Sequence, residues 1–170
     1  MSCPVIIVGY DSQYPILYEN EKRRILEIIG HKVMAIEHIG STAIPGLGGK
    51  PIIDIMAGVS HYIDADECVS LLHDDYKDVT SELRNPEWYY CLGKPCKEES
   101  TYYIHLHLVK FMSDHWKRHL LFRDFLRTHS DIAKQYYELK KKLAVKHGSN
   151  RIGYTDAKAS FIESVIIQAR

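Results

Sequence analysis

The spacing of apolar and polar residues predicts that the first two thirds of the chain form a sheet with a few helices. A β-branched run at 5–8 predicts an edge strand or arm. Apolar residues at helical spacing follow Tyr14-Pro15, so a helix is predicted there that ends at Gly30. Further strands are predicted at 33–39, 51–59, 88–92 and 102–111, with a helix at 64–73, a polar connection at 74–86 and a turn at 93–100.

The remainder of the chain has a helical pattern. Helices are predicted at 115–128, at 131–147 after an N-cap at Ser130, and at 155–169 after an N-cap at Thr155, with a loop at 148–153. Four or five strands followed by a helical C-terminal third indicate an α/β protein with a mixed (α+β) sheet. We expect one domain over 1–170, with its sheet core at about 1–112 and its C-terminal helices at about 113–170.

Length and charge narrow the classes of function. The 170 residues fit a single domain, and 22 Lys and Arg balance 22 Asp and Glu. A net charge of zero argues against a nucleic-acid coat or a membrane-surface protein, because both need excess cation. No apolar stretch approaches the ~18 residues of a membrane span, and the N-terminus lacks the basic flank of a signal peptide. We therefore expect a cytoplasmic protein with no membrane partner and no strong nucleic-acid signal. A homo-oligomer is left open.

Two groups of residues are assigned ordinary roles. The cysteines contain no CxxC pair, which favours reduced, packed thiols over structural zinc. They are Cys3, Cys68, Cys91 and Cys96. The lysine run at 140–142 predicts a solvated helix face rather than an RNA contact.

The glycine-rich segment that follows the strand at 33–39 has the composition of a phosphate-binding loop. It contains Gly40, Ser41 and Thr42 and ends at Lys50. Glycine lets the backbone approach a ligand, hydroxyl groups beside backbone N–H groups can hold phosphate oxygens, and lysine adds a point charge. A tight turn without a ligand is the alternative.

Asp54 lies inside the apolar run of the next predicted strand. An idle carboxylate is costly to bury, so the sequence predicts that Asp54 meets a metal ion, a cation or several hydrogen-bond donors. A structural pair with a lysine or arginine is the alternative.

The same segment carries a family resemblance. The sequence HIGSTAIPGLGGKPIIDI at 38–55 resembles the signature of the GrpB family, whose members have a nucleotidyltransferase-like fold. The resemblance extends over nearly the whole chain. It includes YDSQYP at 10–15, HLHLV at 105–109, FRDFLR at 122–127, YELK at 137–140 and YTDAK at 154–158.

The resemblance implies roles for individual residues. In the wider nucleotidyltransferase superfamily, a Gly-Ser pair holds the triphosphate, and three acids, two of them in a D-h-D pattern, hold two divalent cations. By position, Gly40 and Ser41 match the phosphate-binding pair and Asp54 matches the first acid. Met56 stands where the second acid is expected, and methionine cannot ligate magnesium. The chain therefore departs from the standard two-metal pattern.

Histidines are candidates to replace the missing acids. His105 and His107 are two apart on a predicted strand, so their side chains share a face, and His38 precedes the Gly-Ser pair. An aspartate with histidines suits Mn, Fe, Ni or Zn better than Mg, and a histidine is also a candidate general base. Hydrogen-bonded sheet histidines are the alternative.

Other residues are weaker candidates for ligand contact. Arg123 and Arg127 are four apart on a predicted helix, and we predict that Arg123 contacts phosphate, with surface ion pairs as the alternative. Lys158 is a further candidate for the phosphate site. Several strand aromatics are candidates for a base-stacking pocket, although such residues more often pack in a core. They are Trp88, Tyr89, Tyr90, Tyr102 and Tyr103.

Three hypotheses for function follow from the residues and the resemblance. The first is a nucleotidyltransferase-like protein that binds a nucleoside triphosphate or related phosphate ligand with a divalent metal (Mg or Mn) and transfers a nucleotidyl group to an unknown acceptor. In it, Asp54, His105 and His107 are the catalytic and metal-binding residues. The second is an inactive nucleotide- or partner-binding module, which Met56 favours. The third is a histidine-rich metal hydrolase. Convergence of the aspartate and the two histidines would favour an enzyme over a binding module.

Overall fold

A computed structural model describes residues 5–80, 89–94 and 103–170. The described strands are β1 (Val33–Ile39), β2 (Ile52–Val59), β3 (Lys77–Asp78), β4 (Tyr90–Lys94) and β5 (Tyr103–Lys110). The described helices are α1 (Tyr14–Ile29), α2 (Tyr62–Leu72), α3 (Asp114–Thr128), α4 (Ser130–His147), α5 (Arg151–Asp156) and α6 (Ala159–Ala169). Within the described ranges, no helix has the length and apolar character needed to cross a membrane.

The strands form one mixed sheet in the order β1-β2-β5-β4-β3. The central pair, β2 and β5, is parallel, and the outer pairs are antiparallel. This topology, together with the helical C-terminal part, confirms the α/β fold class and the mixed sheet that the sequence predicts. It also places Asp54 on β2 directly opposite His105 on β5.

The two faces of the sheet have different coverings. Odd positions of β2, such as Ile53 and Ile55, pack with Ile25 of α1 and Leu72 of α2 in an apolar core. Even positions point to the other face, because successive side chains of a strand alternate. There Met56 packs against Trp116 of α3, and the neighbouring even position is Asp54. The polar site therefore lies on the face that the C-terminal helices cover.

Several predicted boundaries differ from the structure. The β-branched run at 5–8 forms only an isolated bridge, between Val8 and Gly49. The predicted loop at 148–153 is too long, because α5 already begins at Arg151. The predicted helix at 155–169 is divided, with its first two residues in α5 and Ala159–Ala169 in α6. The Asn150 side chain accepts a hydrogen bond from the Gly153 N–H, which caps the early helix start.

Some predicted features lie partly or wholly outside the described residues. Trp88, Tyr102, Cys3, Cys96 and the segment 95–100 of the predicted turn belong to this group. Gly93 and Lys94, which were predicted to begin that turn, are the last residues of β4. Cys68 and Cys91 are buried free thiols, as the cysteine pattern predicts.

Candidate functional site

A cavity of about 450 Å³ lies between part of the sheet and the C-terminal helices. Side chains of β2 and β5 line one side of it, and side chains of α3, α4 and α6 line the other. Most of the residues that the sequence singles out lie here. They are Gly40, Ser41, Lys50, Asp54, His105, His107, Arg123 and Lys158.

Asp54, His105 and His107 converge at the sheet side of the cavity. Because β2 and β5 are parallel and in register, even positions of β2 and odd positions of β5 present their side chains to the same face. Asp54 Oδ1 lies 3.1 Å from His107 Nε2 and 3.5 Å from His105 Nδ1. One ligand atom from each of the three residues lies within 4.8 Å of the others. This is the convergence that the enzyme hypothesis requires.

The hydrogen bonds keep Asp54 ionised. Burial alone would raise the pKa of this carboxyl, but hydrogen bonds from His105 and His107 oppose it and leave the pKa well below its usual range. The side chain keeps 25% of its surface exposed, against 15% for His105 and 5% for His107. Asp54 therefore presents a negative charge to the cavity, with two nitrogen donors beside it.

Gly40 lies directly against this carboxylate. Its φ is +72°, and a Cβ atom at this position would lie 2.5 Å from Asp54 Oδ2. Glycine is therefore required both by the backbone conformation and by the close approach. The loop predicted to hold phosphate thus begins beside the candidate metal ligands.

Thr42 and His38 form a structural unit beside the cavity. The Thr42 hydroxyl donates to the Ile52 carbonyl (3.1 Å), so His38 Nε2, 2.9 Å away, is the donor to Thr42 Oγ1. The His38 ring stacks on Tyr18, and burial lowers its pKa to about 4. Neither residue lines the cavity. His38, a candidate to replace a missing acid because it precedes the Gly-Ser pair, therefore does not face the cavity. The predicted role of Thr42 in phosphate binding stays a prediction without a contact that favours it.

Ser41 faces the cavity and is held by a lysine of α4. Lys140 Nζ donates to Ser41 Oγ (2.7 Å) and to the Gly48 carbonyl. Lys140 is 2% exposed, so the predicted solvated face is wrong for this residue. The signal was present in the sequence, because Lys140 falls on the helical stripe of Ala133, Tyr136 and Leu143, which are buried.

Two more lysines approach the same wall of the cavity. Lys50 Nζ lies 4.7 Å from the centre of the Tyr154 ring, and Lys158 Nζ lies 4.4 Å from it. Both distances are in the range of cation–π contacts. Lys50 and Lys158, both predicted near phosphate, therefore lie in the cavity with Ser41.

Arg123 has acidic partners on two elements. Its guanidinium donates to Glu37 of β1 (2.7 Å), to Asp124 of α3 (2.8 Å) and to the His38 carbonyl (2.9 Å). It lines the cavity, but these bonds hold α3 against β1. Its predicted contact with phosphate stays a prediction. Arg127, its helical neighbour, donates to the Ala43 carbonyl.

Sequence reasoning missed two histidines of α3. His115 and His119 line the cavity, and their ring centres are 4.4 Å apart. Burial, reinforced by His115 and His107, lowers the pKa of His119 to about 3, so its imidazole is neutral. The i,i+4 spacing of two histidines on one helix could have identified them.

Of the aromatic residues predicted to form a base-stacking pocket, only Tyr89 and Tyr90 have described side chains, and neither lines the cavity. The Tyr89 and Tyr90 rings contact Tyr62 of α2. The Tyr90 hydroxyl also donates to Asp66 of the same helix. Both tyrosines pack against the core on the other face of the sheet. This part of the prediction is wrong for the described residues.

The donor set at Asp54 fits a divalent transition metal better than magnesium. One ionised carboxylate and two imidazoles are the ligands that Mn, Fe, Ni and Zn accept, whereas Mg prefers oxygen. Met56 is fully buried among apolar side chains and offers no second carboxylate. The residues present therefore fit a single cation held by Asp54, His105 and His107.

Comparison with known proteins gives consistent matches over the whole chain. The family model described as GrpB protein matches residues 4–168. A UPF0157 protein of Halalkalibacterium halodurans is 33% identical over 165 residues, which are 97% of this chain and 82% of that protein. The glutamate-rich protein GrpB of Alkalihalophilus pseudofirmus is 31% identical over 174 residues, with 95% of this chain and 94% of that protein covered.

Solved structures show the same fold. The crystal structure of conserved protein GrpB from Enterococcus faecalis superposes with a TM-score of 0.79 at 29% identity and covers 96% of both chains. A chain of the GLD-2/RNP-8 complex superposes with a TM-score of 0.58 at 11% identity, over 94% of this chain and 60% of that one. The second likeness concerns the fold alone. A dephospho-CoA kinase of Mycolicibacterium paratuberculosis is 32% identical over 91 residues, 49% of this chain and 22% of that protein.

Proposed function

The chain belongs to the GrpB family, and from that premise we propose that it binds a nucleoside triphosphate or a related phosphate compound together with one divalent cation, and transfers a nucleotidyl group from it. The observation that carries the proposal is the convergence of Asp54, His105 and His107 beside Gly40 and Ser41. The named dephospho-CoA kinase among its relatives is one reason to keep related phosphate compounds as ligands.

The residues of the site have different proposed roles, in cation binding or in phosphate binding, according to their chemistry. Asp54, His105 and His107 would hold the cation, which supplies Lewis-acid stabilisation of charge on phosphoryl oxygens when bound. The Ser41 hydroxyl accepts a hydrogen bond from Lys140 and would donate its own proton to a phosphate oxygen. Gly40 keeps the loop backbone within reach of the same ligand because it has no side chain.

His105 is the better placed of the two histidines to act as a general base. It is more exposed to the cavity than His107, and its Nδ1 lies 3.5 Å from Asp54. A neighbouring carboxylate stabilises the imidazolium that forms when a histidine takes a proton. In this alternative role His105 does not ligate the cation, which Asp54 and His107 would then hold, and its imidazole accepts the proton of an acceptor hydroxyl.

A second candidate function is a binding module without catalysis. The observation that favours it is Met56, which is buried against Ile39, Val109 and Trp116 where a second metal-binding acid is expected. Such a module would bind the same phosphate ligand and cation but would not turn the ligand over.

Calorimetric titration tests the binding that both candidates share. Metal-stripped protein would be titrated with ATP, GTP, CTP and UTP, each with Mg²⁺ and with Mn²⁺, and again as Ser41→Ala and Asp54→Asn. We expect metal-dependent binding that is lost in Asp54→Asn and weakened in Ser41→Ala, and stronger binding with Mn²⁺. No heat with any triphosphate would remove the proposal. Release of pyrophosphate in the presence of candidate acceptors then separates the enzyme from the binding module.

A further inference from the structure

Three lysines from separate segments of the chain meet at one wall of the cavity. Lys50 precedes β2, Lys140 lies on α4 and Lys158 precedes α6. We call them the lysine cluster. Lys50 and Lys158 both contact the Tyr154 ring, and Lys140 Nζ lies 4.7 Å from the centre of the Tyr136 ring. Sequence separations of 90 and 18 residues show that the fold, not a local run, brings the cations together.

The cluster has no acidic partner in the described parts of the chain. Lys140 donates to the neutral oxygens of Ser41 and Gly48, and neither Lys50 nor Lys158 forms an ion pair with a described residue. The arginines of the same cavity are different, since Arg118 pairs with Glu163 and Arg123 with Glu37. Lys140 is buried and the other two lysines are half-buried. Cations withdrawn from water are normally paired, so three of them without an ion-pair partner indicate an anion supplied from outside the chain.

Burial has the expected electrostatic effect on the cluster. It lowers the pKa of Lys140 to about 7, with a further contribution from Lys158. It lowers the pKa of Lys158 to about 8, with Lys50 adding to the effect and Asp54 opposing it. An anion placed among the three ammonium groups would reverse these shifts, because opposite charge favours the charged form.

We propose that the lysine cluster is the subsite for a polyphosphate tail, and that it binds the linked terminal phosphates of the ligand independently of the cation at Asp54. Three lysine charges suit a di- or triphosphate better than a single phosphate or carboxylate, whose charge two lysines already balance. Ser41 joins the two parts of the cavity, because it contacts Lys140 and follows Gly40, which lies against Asp54.

This inference rests on the proposed function, since it assigns a binding subsite to the polyphosphate tail of the same ligand. The two proposals nevertheless require different conditions for binding. Binding of the polyphosphate tail needs neither a nucleoside nor a metal ion, whereas the proposed function requires both Asp54 and a cation.

The test is calorimetric titration of the full chain in EDTA at pH 7 with inorganic tripolyphosphate and with inorganic orthophosphate. We expect tripolyphosphate to bind at least about tenfold more tightly than orthophosphate. Lys158→Gln and Lys50→Gln should each weaken tripolyphosphate binding by roughly tenfold or more. Lys142→Gln is the matched control, because Lys142 is an exposed lysine on α4, and it should bind as the unchanged protein does.

The outcomes separate the two proposals. Tripolyphosphate affinity that is equal in Lys158→Gln, Lys50→Gln and the control overturns the lysine subsite, even if nucleotide binding still depends on Asp54. Absence of tripolyphosphate binding overturns it as well. Metal-free tripolyphosphate binding that the two variants lose, without any metal-dependent nucleotide binding, supports the subsite and removes the proposed function. Lys140→Met is a supplementary variant only, because Lys140 also holds the loop through Gly48.

Discussion

Gly40 brings the backbone of the glycine-rich loop against the carboxylate of Asp54, and a substitution here tests how tightly the two are packed. Gly40→Ala would place a methyl group 2.5 Å from Asp54 Oδ2 and keep a φ of +72° that alanine disfavours. We expect a loss of about 2–4 kcal/mol in the free energy of unfolding, measured with urea. Metal affinity should fall as well, since the carboxylate must move.

Gly46→Ala is the matched control for that variant. Gly46 has a similar φ of +80°, but a Cβ there meets no atom within 4 Å. Gly46→Ala should lower the free energy of unfolding by about 1–2 kcal/mol, through backbone strain alone. Equal stability of the two variants would contradict the close contact between Gly40 and Asp54.

His38 gives the protein a defined sensitivity to acid. Its folded-state pKa of about 4 lies below the ordinary value of 6.5, so the unfolded chain binds the proton more readily. The stability that the neutral imidazole contributes is complete above pH 6.5 and is lost as the pH falls towards 4. We expect unchanged protein to lose on the order of 2–3 kcal/mol more than His38→Gln across this window, in urea unfolding at a series of pH values.

The glutamine variant is a suitable comparison because its amide can still donate to Thr42 Oγ1 but cannot be protonated. The other groups that titrate in this window are common to both proteins and cancel in the difference. Parallel stability curves between pH 4 and 6.5 would show that His38 does not lose its proton on folding.

At the scale of elements, Arg123 fastens α3 to β1. Its guanidinium is 10% exposed and bonds Glu37, Asp124 and the His38 carbonyl. We expect Arg123→Met to lower the free energy of unfolding by about 2 kcal/mol, because the substitution leaves the His38 carbonyl and the half-buried Glu37 carboxylate without their donor. Arg24→Met, which breaks the exposed pair with Asp75, should cost about 0.5 kcal/mol or less. Similar losses in both variants would contradict the anchoring role.

The elements of the sheet could be predicted because their signals are local. The alternation at 33–39 gives β1 with the same bounds. The described β2 begins one residue later than predicted, and β5 ends one residue earlier. The early start of α5 could not be predicted in the same way. It depends on the Asn150 cap, whereas Gly153 suggests a loop.

The two groups of candidate residues in the cavity also differ in how local their sequence signals are. Asp54, His105 and His107 could be predicted from single-strand patterns, since one parallel pairing brings them together. The lysine cluster could be predicted only in part. Lys50 and Lys158 are candidates for the phosphate site from the sequence, but their meeting with Lys140 depends on three separate segments that fold against one another. Lys140 belongs to the lysine run at 140–142, which as a whole predicts a solvated face. Within that run only Lys140 lies on the buried stripe of α4.

For the whole molecule, the buried lysines predict a rise in stability with pH. Lys140 and Lys158 have folded-state pKa values of about 7 and 8, below the ordinary 10.5, so above pH 7 the unfolded chain holds more protons than the folded chain. The penalty for burying charge is therefore relieved as the pH rises from 7 to 9.5. We expect the free energy of unfolding to rise over this range more steeply in unchanged protein than in Lys158→Gln.

Bound tripolyphosphate should oppose this rise of the free energy of unfolding with pH. A bound anion stabilises the charged lysines, so the stabilisation by tripolyphosphate should be largest near pH 7 and fall as the pH approaches 9.5. Chemical unfolding with and without the anion measures both trends. A stability curve for unchanged protein that parallels that of Lys158→Gln would contradict the burial of an unpaired Lys158.

The central claim is that Asp54 and the two strand histidines hold a divalent cation together with a phosphate ligand. Electron paramagnetic resonance of Mn²⁺ tests it most directly, because the signal of free Mn²⁺ decreases as the ion binds. With ATP present and the free Mn²⁺–ATP signal subtracted, we predict saturable binding of one Mn²⁺ per chain that is lost in Asp54→Asn and His107→Gln. It should be unchanged in Asp74→Asn, whose carboxylate is exposed on the surface. Equal Mn²⁺ binding by Asp54→Asn and Asp74→Asn, or none by the unchanged protein, would contradict the account.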